Sequence, residues 1–288
     1  MNFDLDGAVT FVATRGRVLE RRRLELLLGR GAAEDVLAAL DAYRNADGGY
    51  GWGLEPDLRS ASSQPVGAMH ALELLAEMRD TATRRPVEIL DWLVRHTGDD
   101  GGVPFALAFA DTEGSAGHWA AADPSASSLT MTAQLAAQAH RLARHRADVA
   151  GHPWLAAATD YCRAAIAAMR EPHAYELMFT MHFLDALGDR ELIERAVRHL
   201  RTDGPTAVSG GAEGEVLHLL DFAPHAEGPV RRVFPAAAVE EDLRRLAVGQ
   251  QADGGWTVDF PTYGPAAALE WRGYATVGAV RILRGGRL

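Results

Sequence analysis

Lysine is absent from this chain and cysteine nearly so: all 29 basic residues are arginine, and the single thiol is Cys162. A lone cysteine rules out an internal disulfide and fits a reducing compartment. The exclusive use of arginine reads first as the codon bias of a GC-rich genome. Positive charge is in deficit, since 39 acidic residues leave a formal net charge of -10. That balance argues against general nucleic-acid binding, which rests on neutralising phosphates with an excess of basic side chains. The arginines between Arg15 and Arg23 alternate with Val18 and Leu19 and read as a solvated helix face. No apolar run approaches the ~20 residues of a membrane helix. The acidic segment Met1 to Asp6 lacks the basic and apolar regions of a signal peptide. A cytoplasmic protein with no nucleic-acid partner and no integral membrane segment is expected. GxSxG, P-loop, GxGxxG and HExxH patterns are also missing, so no complete catalytic motif identifies the chain.

What is present is a recurring turn: Asn45-Ala46-Asp47-Gly48-Gly49-Tyr50, Asp99-Asp100-Gly101-Gly102-Val103 and Gln251-Ala252-Asp253-Gly254-Gly255-Trp256, with a weaker copy at Asp203-Gly204. The spacing implies a period near fifty residues. Each full copy follows an amphipathic helical stretch, such as Val36, Leu37, Leu40 and Tyr43 opposite Glu34, Asp35 and Asp41. After each comes a second kind of helix, nearly free of charge: Val66 to Leu75, Ser125 to Ala139, and Gly273 to Leu283. A helix that is apolar all round is buried on all sides. One-sided helices alternating with all-round ones predict an all-α fold, an (α/α) toroid of about five to six helix pairs in two concentric rings, spanning 1-288 as one domain. The expected pairs are 32-44 with 64-77, 85-96 with 125-141, 154-170 with 174-187, 190-200 with 213-221, and 236-250 with 271-283, preceded by a helix at 13-28.

The run Leu243 to Trp256, continuing to Tyr274-Ala275-Thr276-Val277-Gly278-Ala279-Val280, resembles the QW repeat of squalene and terpenoid cyclases and the equivalent repeat of protein prenyltransferase β subunits. The resemblance extends to 36-77 and 86-140 and is faint between. It implies a toroid with a central apolar cavity, an isoprenoid or other apolar small-molecule ligand, and a structural role for Gln250, Gln251 and Trp256. It also directs attention to the starts of the inner helices. There a carboxylate followed by small or hydroxyl residues recurs, with Asp57, Asp123 and Glu270 at matching places. These are the candidate catalytic acids, and capping of the helix N-termini is the competing role.

Class II terpene cyclases protonate their substrate with the middle acid of a DxDD motif. Here the matching stretch is Asp123-Pro124-Ser125-Ala126, and Ser125 has no acidic proton to give. The prenyltransferase zinc site is matched only by Asp160-Tyr161-Cys162, inside an expected outer helix, with Trp271-Arg272 where its histidine would stand. No metal and no cofactor are therefore expected. Glu55, Arg59 and Arg272 are candidate substrate contacts, the arginines either binding an anionic head or pairing with neighbouring acids to staple the ring. Trp52, Trp119, Trp271 and Tyr274 are candidates for an aromatic mouth. Two other classes stay open: a glycan-active enzyme using paired carboxylates, and a non-catalytic toroid that binds a lipid or a partner. Nothing in the chain fixes an oligomeric state.

Overall fold

A computed structural model describes residues 2-78 and 81-285. The chain is mainly α-helical, with one two-stranded hairpin among the described residues. It divides into two compact units, residues 43-200 and residues 1-42 with 201-288.

In the 43-200 unit, α4 (Pro65–Glu77), α7 (Leu129–Ala143) and α10 (Ala174–Leu187) form an inner row, α7 packing between the other two. Every residue of α4 from Pro65 to Leu75 is buried, as is the run from Met131 to Ala139 in α7. Outside them lie α5 (Arg85–Val94), α9 (Pro153–Ala168) and α11 (Arg190–Ala196). Each packs on one inner helix, and α9 also touches both other outer helices. Amphipathicity sets this layering: α5 buries Ile89, Leu90, Trp92 and Leu93 while Glu88 and Asp91 stay on the other face. Two short helices, α6 (Gly117–Ala121) and α8 (Ala147–Ala150), sit in the connections. The expected inner helix at 174-187 is found with those bounds.

In the other unit, α14 (Pro265–Leu283) packs against α1 (Leu5–Arg15), α2 (Val18–Leu27) and α13 (Ala236–Val248), while α2 carries α3 (Ala33–Leu40). Here the structure corrects three expectations. The helix expected at 13-28 is two helices, interrupted at Gly16 and Arg17, where Gly16 is extended and its Cα lies close to Gly273 of α14. Two residues without side chains let the backbones approach there. The inner helix expected at 213-221 is a hairpin, β1 (Thr206–Ala207) with β2 (Val216–Leu217), followed by the short α12 (Leu219–Phe222). Gly210 and Gly214, both left-handed, turn the chain where a helix would have to run. The last helix begins at Pro265 rather than 271, with proline at its first position.

The three repeated turns share one construction. Gly48, Gly101 and Gly254 take φ of 91°, 86° and 91°. The aspartates accept a hydrogen bond from the backbone N–H two residues on, Asp47 from Gly49 at 2.9 Å, Asp100 from Gly102 at 3.0 Å and Asp253 from Gly255 at 3.2 Å. The remaining oxygen capacity reaches the next helix or the segment leading into it: Ser63 donates to Asp47 at 2.8 Å, Ser127 to Asp100 at 2.7 Å, and Arg272 of α14 grips Asp253 with both ends of its guanidinium, at 2.9 and 2.7 Å. Each turn also lies against the start or face of another helix: Asp47 accepts from Trp92 of α5, Gly101 abuts Ala157 of α9, and Gly254 abuts Gly7 of α1.

A side chain at Gly254 would meet the Gly7 carbonyl oxygen at 2.2 Å, on a backbone already left-handed, whereas Gly210, equally left-handed, has open space around it. Gly254→Ala is expected to lower unfolding free energy by about 2–4 kcal/mol and Gly210→Ala by about 1–2 kcal/mol. Urea denaturation of the two variants measures the difference, and equal losses would mean the turn has room to relax.

Candidate functional site

The segment 51-64 joins the first turn to α4 and is buried although rich in polar groups: Glu55, Asp57, Ser60, Ser63 and Gln64 are all inaccessible. Its backbone is held from both sides. Trp52 N–H donates to the Ser60 carbonyl, Gln64 N–H to the Tyr50 carbonyl, and Ala116 N–H to the Asp57 carbonyl. Ser115 Oγ accepts from the Arg59 N–H, and the Gln64 amide bridges both backbone groups of Leu107. Segments 51-64 and 105-119 are thus laced together above α4.

Glu55 hangs from this frame against His70 of α4. His70 Nε2 lies 2.8 Å from Glu55 Oε2, and Nδ1 lies 3.8 Å from Glu73 Oε2, one helical turn on. Histidine and both glutamates are 8% exposed or less. Burial alone would strip the proton from His70, but the two carboxylates outweigh it and raise the imidazole to about 9. His70 is therefore an imidazolium at neutral pH, bracketed by anions. A small void of about 10 Å³ lies between Glu55, Ser60 and Gln64 on one side and Leu54, Leu58 and Val66 on the other.

A second imidazole stands at the edge of the cluster. His118 of α6 is exposed on one side and packs on Trp119 and Phe105 on the other, at 4.8 and 6.1 Å. Desolvation by that packing holds it below the ordinary histidine range, although the charges of Glu55 and Asp57 pull the other way. Phe105 and Trp119 stack at 4.8 Å with planes 13° apart, and the buried Trp119 Nε1 has no hydrogen-bond partner. The inner layer beyond is more polar than the expected near-chargeless helices: Gln134, Gln138 and Asp185 are buried, and Arg141 lies 3.2 Å from Gln138 and 3.8 Å from Asp185.

Among the expected site residues, Glu55, Asp57 and Trp119 fall in this buried region, with Arg59 half-buried in the segment that forms it. Trp52 is 57% exposed, with its indole N–H fixed to Asn45 and a left-handed backbone. Asp57 and Asp123 both precede their helices by more than a turn, because α4 starts at Pro65 and α7 at Leu129. Asp123 is exposed and accepts from Ser125 N–H and Oγ, bonds that lower its pKa and so favour the carboxylate over the acid. The cap of α7 is Ser128, whose Oγ accepts from Met131 N–H.

Glu270, Trp271, Arg272 and Tyr274 belong to the other unit and lie within α14, beyond its first turn. Glu270 is 3.8 Å from Arg17, and Trp271 meets Phe260 and Tyr274 edge-on. Arg272 holds Asp253 and covers the Phe11 ring at 4.5 Å. Gln250 clamps the entry to α1 by accepting from Asp4 N–H and donating to its carbonyl. Cys162 is buried inside α9, with its thiol pushed up by burial. His70, Glu73 and His118 were missed by the sequence reasoning. The available signal for the first two was a histidine and a glutamate at i, i+3 on an otherwise apolar helix; for His118 there was none.

No helix of the described residues is long and apolar enough to cross a membrane. No protein-family model matches the chain, and no curated protein matches it. Among solved structures it is similar to a crystal structure of a protein from Actinoplanes, 15% identical, with a TM-score of 0.59 over 98% of both chains. That likeness concerns the fold alone.

His70 binds its proton more tightly folded than unfolded, so its contribution to stability is complete below about pH 6.5 and is lost as pH rises through about 9. The urea midpoint of the wild type is expected to fall between about pH 6 and about pH 9.5, and His70→Asn to flatten that slope. A wild-type midpoint that rises over this interval would contradict the geometry.

Proposed function

We propose that the protein is an (α/α) toroid that binds a small, predominantly apolar molecule of the isoprenoid type against Phe105 and Trp119, and transfers a proton there with Glu55, His70, Glu73 and His118. The toroid is supported by the turns. The first lies on α5, the second on α9, and the third on α1, so the N-terminal helix stands to the last turn as the next outer helix stands to the others.

The acid–base role is carried by one observation: two imidazoles under the influence of the same carboxylate are poised oppositely, His70 charged and His118 neutral. Environments that push two titratable groups apart define an acid and a base. His70 holds the proton, Glu55 and Glu73 fix its ring, and His118, at the accessible edge, is the uncharged imidazole of the pair. Aromatic faces beside these carboxylates favour positive charge developing on a bound hydrocarbon. Asp57 adds a buried carboxylate to the same field, whereas Asp123 and Glu270 have no part in the proton transfer.

A second reading, a glycan-active enzyme, draws on the buried carboxylates Glu55, Asp57 and Glu73 beside stacked aromatics, a lining suited to a hydroxyl-rich ligand. Native mass spectrometry of co-purifying ligand separates the two, a prenyl lipid supporting the first and a sugar the second. Turnover of a polyprenyl panel is expected to fall by about 10²–10⁴ in His70→Asn and Glu55→Gln. Folded variants that retain full turnover would remove these residues from the chemistry.

A further inference from the structure

A third imidazole occupies a different place. The C-terminal part of α7, with α8, α9 and the end of α10, borders an open cleft of about 380 Å³, a size suited to a small ligand. Its walls are mainly apolar, from Ala143, Leu155, Ala156 and Leu187, and its polar lining is His140 and Thr159 with the charged pair Asp160 and Arg163. Asp160, singled out in the sequence for its spacing to Cys162, stands at the same cleft.

The hydrogen bonds fix the state of His140. Thr159 Oγ1 lies 2.6 Å from the Leu155 carbonyl oxygen and 2.8 Å from His140 Nε2. A hydroxyl has one proton, and a carbonyl can only accept, so Thr159 donates to Leu155 and accepts from the ring. Nε2 therefore carries hydrogen. Burial, with Arg163 and Arg144 nearby, holds His140 down to about 4, so at neutral pH the ring has no second proton and Nδ1 is an acceptor. Neither arginine serves it: Arg144 donates to the carbonyls of Asp185 and Ala186, and Arg163 pairs with Asp189. Beyond Thr159, the ring's contact is the edge-on Phe183 at 5.8 Å. Among the described residues Nδ1 has no donor.

We infer that this cleft is a binding site for a small, neutral, largely apolar alcohol whose hydroxyl donates to His140 Nδ1. The charges select against the alternatives. An ammonium would face Arg163 in the cleft wall and Arg144 nearby, which already disfavour a charged His140, and a carboxylate has no hydrogen to donate to the bare ring nitrogen. Apolar walls take the hydrocarbon part. The site stands apart from the acid–base cluster and does not depend on it.

The test uses the full chain labelled with ¹⁵N-histidine, followed by long-range ¹H–¹⁵N correlation while benzyl alcohol, benzylamine or benzoate is added in the millimolar range. Benzyl alcohol is expected to move the His140 Nδ1 resonance saturably, with Nε2 little changed, and the charged analogues to bind at least tenfold more weakly. Ala156→Trp, at an exposed position of α9, is expected to abolish the shift by filling the cleft, and His140→Phe to weaken benzyl alcohol about tenfold by calorimetry. No saturable shift with benzyl alcohol, equal binding of benzylamine or benzoate, or an undiminished shift in Ala156→Trp would each overturn the assignment.

Discussion

The aspartate that precedes the two glycines of each repeated turn has more to do than its exposure suggests. Asp47, Asp100 and Asp253 each close their own loop through a backbone N–H and then accept from a side chain that belongs to the following helix or the segment leading into it. Because a carboxylate accepts up to about four hydrogen bonds and donates none, a single residue can fix both contacts without conflict. Burial pushes the Asp47 carboxyl up, but bonds from Gly49, Ser63 and Trp92 outweigh it. For Asp100 and Asp253 the side-chain bonds from Ser127 and Arg272 dominate, so all three are held below the ordinary aspartate range. The first glycine of each pair is left-handed, and a Cβ on the second would meet Ser63 and Trp92 at Gly49, Ser127 and Tyr161 at Gly102, and Phe11 at Gly255 at under 3 Å.

The candidate site depends on the first of these turns. Segment 51-64 starts where the Asp47 turn ends and returns to it at Ser63, so Glu55 and Asp57 sit on a loop anchored at both ends before α4 begins. Such anchoring matters because buried carboxylates are costly unless their partners are held in place. Glu55 has one partner fixed by a helix, His70, and that helix supplies Glu73 one turn later. A rigid frame lets a charged imidazole and a neutral one coexist near one carboxylate.

Much of the helical architecture was legible because the repeat carries it: the Asp-Gly-Gly turns mark the ends of helices, and amphipathic and all-round apolar stretches separate outer from inner ones. The α10 bounds were readable from the apolar run Ala174 to Leu187 closed by Gly188. Reading failed where the repeat degenerates. Between Thr206 and Phe222 the glycines make a hairpin, and at α14 alignment with the other units hid the plain start signal of Pro265. The site was half legible. Glu55 and Asp57 stood out in a polar segment beside a turn, whereas His70 and Glu73 were hidden by the apolar residues around them, and the proximity of His118 arises from tertiary contacts between 51-64 and 105-119 that no local pattern encodes. Arg272 illustrates a different limit: its charge was visible, but its partner Asp253 became evident only once α14 was seen to start early.

The protonation state of His70, followed by ¹⁵N NMR across a pH series in the wild type and in Asp47→Asn, tests most directly whether the turn builds the site. The expected result is a wild-type midpoint near about 9, moving toward the ordinary histidine value in Asp47→Asn as the anchor of Glu55 loosens. A wild-type His70 that titrates at or below the ordinary value, or a midpoint indifferent to Asp47, would contradict it.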